Sequence, residues 1–450
     1  MIKKEKLDLG KNNINSLLLQ LSIPAITAML VNAIYNLVDT LFVGMLNNTN
    51  AMGAISVAFP LFILIAAIGQ MIGIGSSSLI SRFLGEKNNK NANNVATHSL
   101  ISGALISIIF TFIIMFNLNS ILKLFGATSN IVLYAYDYSK ILVLLSFFNI
   151  MNMILNNMIR AEGNSKYSMI GIILGALLNI ILDPIFIFTL DYGIKGAALA
   201  TGISQIVSFL FLISYYMKKK SIVKINIKDF NIDKNILSNI FKIGSASFCR
   251  QGLSSLSLGL INYQASLYSE AAVASIGICL RVISIALYVI LGFNQGFSPI
   301  VGFNYGAKKF ERVNETLNLS IKYTSIFSIF MTIVFFIFSK QIISLFSNDL
   351  EVLKIGAITL KTFGLLFAFT GYQQVYSVLF QALSENKKAM ILSLSRQGIF
   401  LLPAILILPK YFGLFGVIFA QPVADFLTII LTYVLSKDFH KNFDKKIKAA

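Results

Sequence analysis

Residues 17–45 read LLLQLSIPAITAMLVNAIYNLVDTLFVGM, and this stretch carries one charged side chain, Asp39. Crossing about 30 Å of hydrocarbon takes roughly 20 helical residues, so the stretch is long enough to span a membrane. Similar stretches recur along all 450 residues, of which 56% are hydrophobic and 12% charged. We count twelve spans, at residues 17–45, 54–81, 95–116, 131–159, 168–190, 196–217, 240–267, 271–300, 316–338, 352–383, 389–408 and 414–435. This composition predicts an all-α membrane protein and excludes a soluble enzyme.

The positive charge of the chain, formally +18, lies mainly in loops on one side of the predicted spans. It includes Lys3, Lys4 and Lys6, the loop after the second span and the segment 218–234. Because Lys and Arg in short loops stay on the cytoplasmic side, we expect both termini in the cytoplasm. The charge therefore indicates topology, with the lipid bilayer and no nucleic acid as a partner.

The two halves of the sequence repeat each other. Gly85 and Lys87 recur as Gly306 and Lys308, which are 221 positions further on. Each half holds six spans and enters the membrane in the same sense, which predicts a parallel repeat of two six-helix bundles around a central cleft. The predicted parts are an N-terminal lobe at residues 1–217, a cytoplasmic connector at 218–239, a C-terminal lobe at 240–436 and a basic cytoplasmic tail at 437–450.

Two carboxylates of the N-terminal lobe lie at membrane depth. Asp39 and Asp183 are six and seven residues from the outer ends of their spans, which places both about 10 Å deep at ~1.5 Å per residue. Asn179 stands one turn before Asp183, and Thr201 and Tyr138 offer oxygens at a similar depth. Charged groups in a membrane need a partner or a wet cavity. The spacing therefore predicts that these five side chains meet in one cation site.

Two acids that meet in a medium of low dielectric constant disfavour the doubly ionised state. The pair is expected to hold a proton or Na⁺, with Na⁺ bound by Asp39, Asn179, Asp183 and Thr201. The alternative is that each acid is hydrogen-bonded separately and only stabilises helix packing.

The C-terminal lobe carries a different set of charges. Arg396 and Asp425 lie at similar depth on adjacent spans and are expected to form a structural ion pair. Arg250, Arg281 and Lys361 have no evident partner in the sequence.

Motifs for enzyme chemistry are missing from the sequence. It has no phosphate-binding Gly-Lys-Ser/Thr loop and no Ser/His/Asp or zinc constellation. We expect a protein that is not an enzyme and has no cofactor, with Na⁺ or H⁺ as a coupling ion.

Several motifs accompany the twelve spans. They are VNAIYNLVDTLFVG at 31–44, SRFLGE at 81–86, RAEGN at 160–164, Asn179-x-x-x-Asp183-Pro184, GAALAT at 196–201 and Pro422-Val-Ala-Asp425. With the repeat, they resemble the multidrug and toxic compound extrusion (MATE) family over nearly the whole chain, and within it the multidrug exporters of Gram-positive bacteria.

The resemblance implies a secondary antiporter that exports amphipathic organic cations or drugs in exchange for Na⁺ or H⁺ by alternating access. It places the coupling cation on Asp39, Asn179, Asp183 and Thr201. It places the substrate cavity near Asn32, Tyr35 and Asn152, and we add Asn36 from the same helical stripe. Some members carry coupling acids on spans seven and ten, which hold no Asp or Glu here, so we expect coupling in the N-terminal lobe. The resemblance also implies a monomer in the inner (plasma) membrane of a bacterium.

A second function remains open, a flippase for lipid-linked precursors. A wide cationic cavity that holds a pyrophosphate would be expected there, and Arg250, Arg281 and Arg396 are candidates to line it.

Overall fold

The protein is built almost entirely from helices. A computed structural model describes residues 8–46, 48–218, 220–226 and 231–449. The α-helices are α1 (Ile14–Gly44), α2 (Thr49–Gly85), α3 (Asn89–Leu124), α4 (Val132–Leu144), α5 (Ser146–Ala161), α6 (Ser165–Pro184), α7 (Gly193–Met217), α8 (Lys234–Ser266), α9 (Glu270–Gly306), α10 (Phe310–Ile337), α11 (Ser339–Ser344), α12 (Leu350–Leu365), α13 (Thr370–Ala382), α14 (Asn386–Leu394), α15 (Leu401–Phe412) and α16 (Leu414–Ala449). Two π-helical segments (Ile185–Thr189 and Ser395–Phe400) and a 3-10 turn (Phe367–Phe369) interrupt the longer spans.

Twelve crossings follow from these helices, and they coincide with the predicted spans. Ten are long and apolar enough to cross a membrane by length and composition, and α4 and α5 form an eleventh that is bent by 47°. The twelfth, α8, has 33 residues but is more polar, since Arg250, Gln251 and several serines lie within it. The prediction of an all-α fold with twelve helices in two bundles is confirmed.

Polar side chains between the spans fix where helices begin. Asn13 accepts a hydrogen bond from the backbone N–H of Ser16, and Asn88 accepts one from that of Asn91. Such caps satisfy N–H groups that have no partner inside the helix. Side-chain caps of the same kind are found at the N-termini of α2, α6, α8, α9 and α12.

The internal repeat is visible in the backbone. Lys87 and its repeat partner Lys308 both adopt positive φ, at 58° and 57°. Gly193 and Gly413 do the same at 52° and 58°. Left-handed residues are uncommon outside glycine, so their recurrence at matching positions shows that the lobes share local geometry as well as helix order.

The two lobes meet at the end of the molecule that carries the connector. A Cβ at Gly75 would collide with the backbone of Ile240, and one at Gly244 with the backbone of Met71. Glycine at these positions therefore lets α2 and α8 touch backbone to backbone. Hydrogen bonds between the lobes join the same end, for example from Ser22 Oγ to the Phe293 carbonyl at 3.0 Å.

Contacts of this kind are not found at three glycines further along α8 and α9. A Cβ at Gly252, Gly259 or Gly277 would meet nothing within 4 Å. The close backbone approach between the lobes described above therefore belongs to the end that carries the connector.

The connector lies against the N-terminal lobe. Glu162 accepts hydrogen bonds from the Ser221 hydroxyl at 2.7 Å and from the Ile222 N–H at 2.6 Å. Positions 219 and 227–230 of the predicted connector lie outside the described residues, as do Lys3, Lys4 and Lys6.

The basic tail continues the last helix. It extends α16 to Ala449 and packs on the C-terminal lobe through Phe439 and Phe443, which are buried. Lys388 pairs with Asp438 at 2.7 Å.

Candidate functional site

Three helices of the N-terminal lobe bring the predicted cation ligands together. Asp39 comes from α1, Asn179 and Asp183 from α6, and Thr201 from α7. On α6, Asn179 and Asp183 are one turn apart and face inward, with 1% and 0% of their surface exposed. Thr201 is buried at the same place. Tyr138 on α4 lies beside Asp39, so all five predicted ligands converge.

Hydrogen bonds connect the cluster. Asn179 donates to Asp183 Oδ1 and to Thr201 Oγ1, at 3.2 Å in each case. The carboxyl groups of Asp39 and Asp183 are close enough to interact. Tyr35, predicted as a cavity residue, is buried one turn before Asp39. Two acids that interact in a buried place disfavour the state in which both are ionised.

The cluster holds acceptor oxygens without donors. Asp39 Oδ1, Asp183 Oδ2 and Asn179 Oδ1 are buried and accept no hydrogen bond from the described residues. A buried acceptor that is left unsatisfied costs about 1–3 kcal/mol, and a charged one more. Carboxylate, amide and hydroxyl oxygens are the donors that hard cations bind. The arrangement suits a proton on the acid pair or a small cation among these oxygens.

Local backbone chemistry fixes the position of Asp183. The next residue, Pro184, has no N–H to donate to the carbonyl of Ile180, and the helix widens into the π segment Ile185–Thr189 directly after it. Such segments occur often at functional sites. The irregular backbone therefore begins where the acid enters the cluster.

Two of the predicted cavity residues lie beside the cluster on the surface of α1. Asn32 and Asn36 are exposed, and Asn36 Nδ2 donates to the Asn32 carbonyl at 2.7 Å. Asn32 lies two turns beyond Ala25 on the same helical face, and Ala25 is buried where the lobes close. Both amides therefore lie on the face of α1 that turns toward α9 where the lobes meet.

Asn152 lies elsewhere, inside the lobe between α5 and α7. Its Nδ2 donates to Gln205 Oε1 at 2.7 Å and to the Gln205 carbonyl at 2.9 Å. Gln205 also lines a small cavity with Thr201 and Asn149. Asn152 is thus connected to the cation cluster through Gln205 and is 5% exposed.

Sequence reasoning missed Gln205 and Asn149. A signal for Gln205 was present, because it lies one turn after Thr201 in an apolar span. Its partner Asn152 is 53 residues away along the chain, so the pairing itself had no local signature.

The C-terminal lobe contains the expected pair of Arg396 and Asp425. Arg396 Nε lies 2.7 Å from Asp425 Oδ1, and Gln421 Nε2 donates to the same oxygen at 2.9 Å. Lys361 lies over the ring of Phe336, 5.4 Å from its centre, which gives it a partner that the sequence did not indicate.

Comparisons with known proteins agree with this geometry. The MatE family model matches residues 24–185 and 248–406. The multidrug export protein MepA of Staphylococcus haemolyticus is 30% identical over 430 residues, which cover 94% of each chain. MepA of Staphylococcus aureus is 30% identical over 429 residues, 94% of this chain and 95% of the relative.

Solved structures match the whole molecule. An outward-facing multidrug resistance MATE family transporter of the MOP superfamily superimposes with a TM-score of 0.93 at 27% identity, covering 99% of this chain and 100% of that one. Crystal structures of MATE in a bent and in a straight conformation each give a TM-score of 0.92 at 27% identity, covering 98% of this chain and 99% of theirs. The chain therefore belongs to the MatE family and is a multi-pass membrane transporter for multidrug efflux.

Proposed function

We propose that the protein is an antiporter that exports amphipathic organic cations in exchange for Na⁺ or H⁺ bound at Asp39 and Asp183. The observation that carries the proposal is a set of three buried oxygens, on Asp39, Asp183 and Asn179, that accept no hydrogen bond from the described residues. A site that only stabilised helix packing would be expected to satisfy these atoms. A bound cation or proton satisfies them and can leave again.

Exchange of the coupling cation for the substrate follows from the charge that both carry. When the acid pair loses its cation, its negative charge attracts a cationic substrate into the cleft beside it. When the cation binds again, the attraction disappears and the substrate is released. Each ligand thus favours departure of the other, which is the coupling that antiport requires.

The substrate enters the cleft between the lobes. Its polar lining includes Asn32 and Asn36 on α1, while Tyr35 and Asn152 connect the lining to the acid pair inside the lobe. Organic cations suit a cavity next to carboxylates, and the names of the staphylococcal relatives denote drug export.

The proposal includes an orientation. With both termini in the cytoplasm of a bacterium and the chain in the plasma membrane, the open end of the cleft faces outward. A monomer is sufficient, because one chain supplies both walls of the cleft.

The proposal is tested by efflux of ethidium from reconstituted vesicles under separately imposed gradients of Na⁺ and pH. We expect efflux to follow one of the two gradients and to stop when that gradient is collapsed. Efflux that is indifferent to both gradients would contradict ion coupling.

A lipid flippase is the second candidate, and the exposed Arg281 favours it. Arg281 lies about three turns before Gly292 on the same face of α9, and Gly292 packs on α1 where the lobes close. The guanidinium therefore points into the open cleft, where it can meet a phosphate. Accumulation of lipid-linked precursors in a deletion strain, with unchanged drug sensitivity, would select this function.

A further inference from the structure

The membrane-embedded part of the C-terminal lobe contains more cations than anions. Arg250, Arg281 and Arg396 lie within α8, α9 and the π segment Ser395–Phe400, and Asp425 is the one carboxylate at their depth among the described residues of the C-terminal lobe. Intramembrane charges are costly unless they are paired or face a wet cavity. The excess positive charge therefore needs an explanation.

Asp425 is already occupied. Its Oδ1 accepts hydrogen bonds from Arg396 Nε at 2.7 Å and from Gln421 Nε2 at 2.9 Å. Its Oδ2 accepts one from Arg396 Nη2 at 3.3 Å. The bidentate pairing neutralises Arg396 and leaves no strong acceptor for a second guanidinium.

Arg250 stands beside this pair. α8 packs against the π segment, because the Ser257 hydroxyl donates to the Gln397 carbonyl at 2.9 Å and Leu253 fills the space above Gly398. One turn before Leu253, Arg250 lies within electrostatic reach of Arg396 and is repelled by it. No carboxylate of the described residues lies within 4 Å of Arg250. Its side chain is partly exposed, so it is not sealed inside the lobe.

We propose that Arg250, next to the Arg396–Asp425 pair, forms an oxyanion subsite that binds the carboxylate or phosphate of an amphipathic molecule. Planar guanidinium groups recognise such oxyanions by two parallel hydrogen bonds. The inference rests on the proposed function in one respect, since it assigns the anionic group of a zwitterionic substrate to Arg250. Their cationic end lies toward Asp39 and their anionic end toward Arg250.

The test uses two dyes that differ in one charge. Rhodamine 123 is a cationic methyl ester, and rhodamine 110 is the zwitterionic acid with the same ring system. Binding of each to the purified protein in detergent is measured by fluorescence polarisation. We expect Arg250→Gln to weaken binding of the acid about tenfold or more, with little change for the ester. Arg250→Lys should retain much of the affinity for the acid.

Lys361→Gln is the matched control, because it removes one positive charge from the same lobe, where Lys361 lies over Phe336. We expect it to leave both dyes unaffected. Equal weakening of acid and ester by Arg250→Gln, or equal weakening of the acid by both substitutions, would overturn the oxyanion subsite.

A second experiment, with lipids and no dye, identifies which molecule supplies the oxyanion. Stabilisation by phosphatidylglycerol, relative to phosphatidylcholine, is measured as a shift in melting temperature. If Arg250→Gln removes this shift, a lipid phosphate occupies the subsite, and if only acid binding depends on Arg250, the carboxylate of the substrate does. If Arg250→Gln changes neither the binding of the acid nor the shift caused by phosphatidylglycerol, the proposal is overturned. A wild-type protein that binds no ester while lipid stabilisation depends on Arg250 would contradict the organic-cation function alone.

Discussion

The two lobes share one scaffold and carry opposite charges inside the membrane. Under the 221-residue offset of the repeat, Asp39 of the N-terminal lobe corresponds to Leu260 of the C-terminal lobe. Gly193 and Gly413 are 220 positions apart, and with this offset Asp425 corresponds to Gln205. Among the described residues, the N-terminal lobe thus gathers two acids that pair with no Lys or Arg, whereas the C-terminal lobe satisfies its acid with Arg396.

A duplicated fold can hold two kinds of buried acid. An acid that a fixed arginine neutralises holds helices together and has little capacity to exchange ions. In the proposed function, the acid pair that no protein cation neutralises binds a mobile cation or proton. On that proposal the lobes separate structural pairing from ion exchange, although their helices follow the same path.

The largest expected effect is on transport. Asp39→Asn or Asp183→Asn should reduce ethidium efflux from cells to the level of an empty vector, because an amide cannot release and regain the cation. Asp137→Asn is the matched control, since Asp137 is a partly exposed acid of the same lobe that pairs with Lys195 at 3.1 Å. Retained efflux in both acid variants would show that exchange does not depend on this pair.

The second effect is on the stability of the C-terminal lobe. Asp425→Asn leaves Arg396 half-buried without its counter-ion, which should destabilise the fold by about 3 kcal/mol. The measurement is the melting temperature of the purified protein. A double variant with Arg396→Gln should recover part of the loss, and strict additivity of the two losses would argue against a coupled pair.

The same chemical change in the N-terminal lobe should have a different effect on stability. Asp183→Asn should leave the melting temperature unchanged or raise it, by about 1 kcal/mol or less in free energy, because it removes repulsion between two acids. A loss of stability as large as that of Asp425→Asn would mean that the acid pair is structural after all.

A smaller effect is expected at the edge of the cluster. Thr201→Val keeps the shape of the side chain and removes the hydroxyl that accepts from Asn179. If Na⁺ is the coupling ion, its apparent affinity should fall several-fold, as judged by the Na⁺ concentration that gives half-maximal efflux. Coupling to H⁺ alone should leave the pH dependence of efflux nearly unchanged in this variant.

The smallest effect concerns the connector. Burial raises the pKa of the Glu162 carboxyl above its usual range. A group that holds its proton more tightly in the folded state stabilises that state less as the pH rises through its pKa. The segment 220–226 should therefore be released more often at higher pH. Its release is measured by hydrogen exchange, corrected for the intrinsic pH dependence of exchange. Glu162→Gln should remove that dependence, and an unchanged profile would exclude Glu162 as its source.

Much of this architecture could be predicted from the sequence, because the membrane imposes simple rules. Span lengths, the repeat and the depth of Asp39 and Asp183 follow from counting apolar residues, and depth alone was enough to predict that the two acids meet. The contact between Asn152 and Gln205, the π segment around Arg396 and the docking of Phe439 on the C-terminal lobe could not be obtained this way. They depend on which helix faces which neighbour, and helix rotation leaves little trace in apolar composition.

In the proposed exchange, the Asp39–Asp183 pair holds the cation that the substrate displaces. The most direct measurement is ion release when ethidium is added to purified protein in detergent, followed with a pH indicator in weak buffer and with radioactive Na⁺. The wild-type protein should release about one proton or one Na⁺ for each ethidium bound, and the Asp39→Asn/Asp183→Asn double variant should release neither. Release of the same size from the double variant would contradict the account.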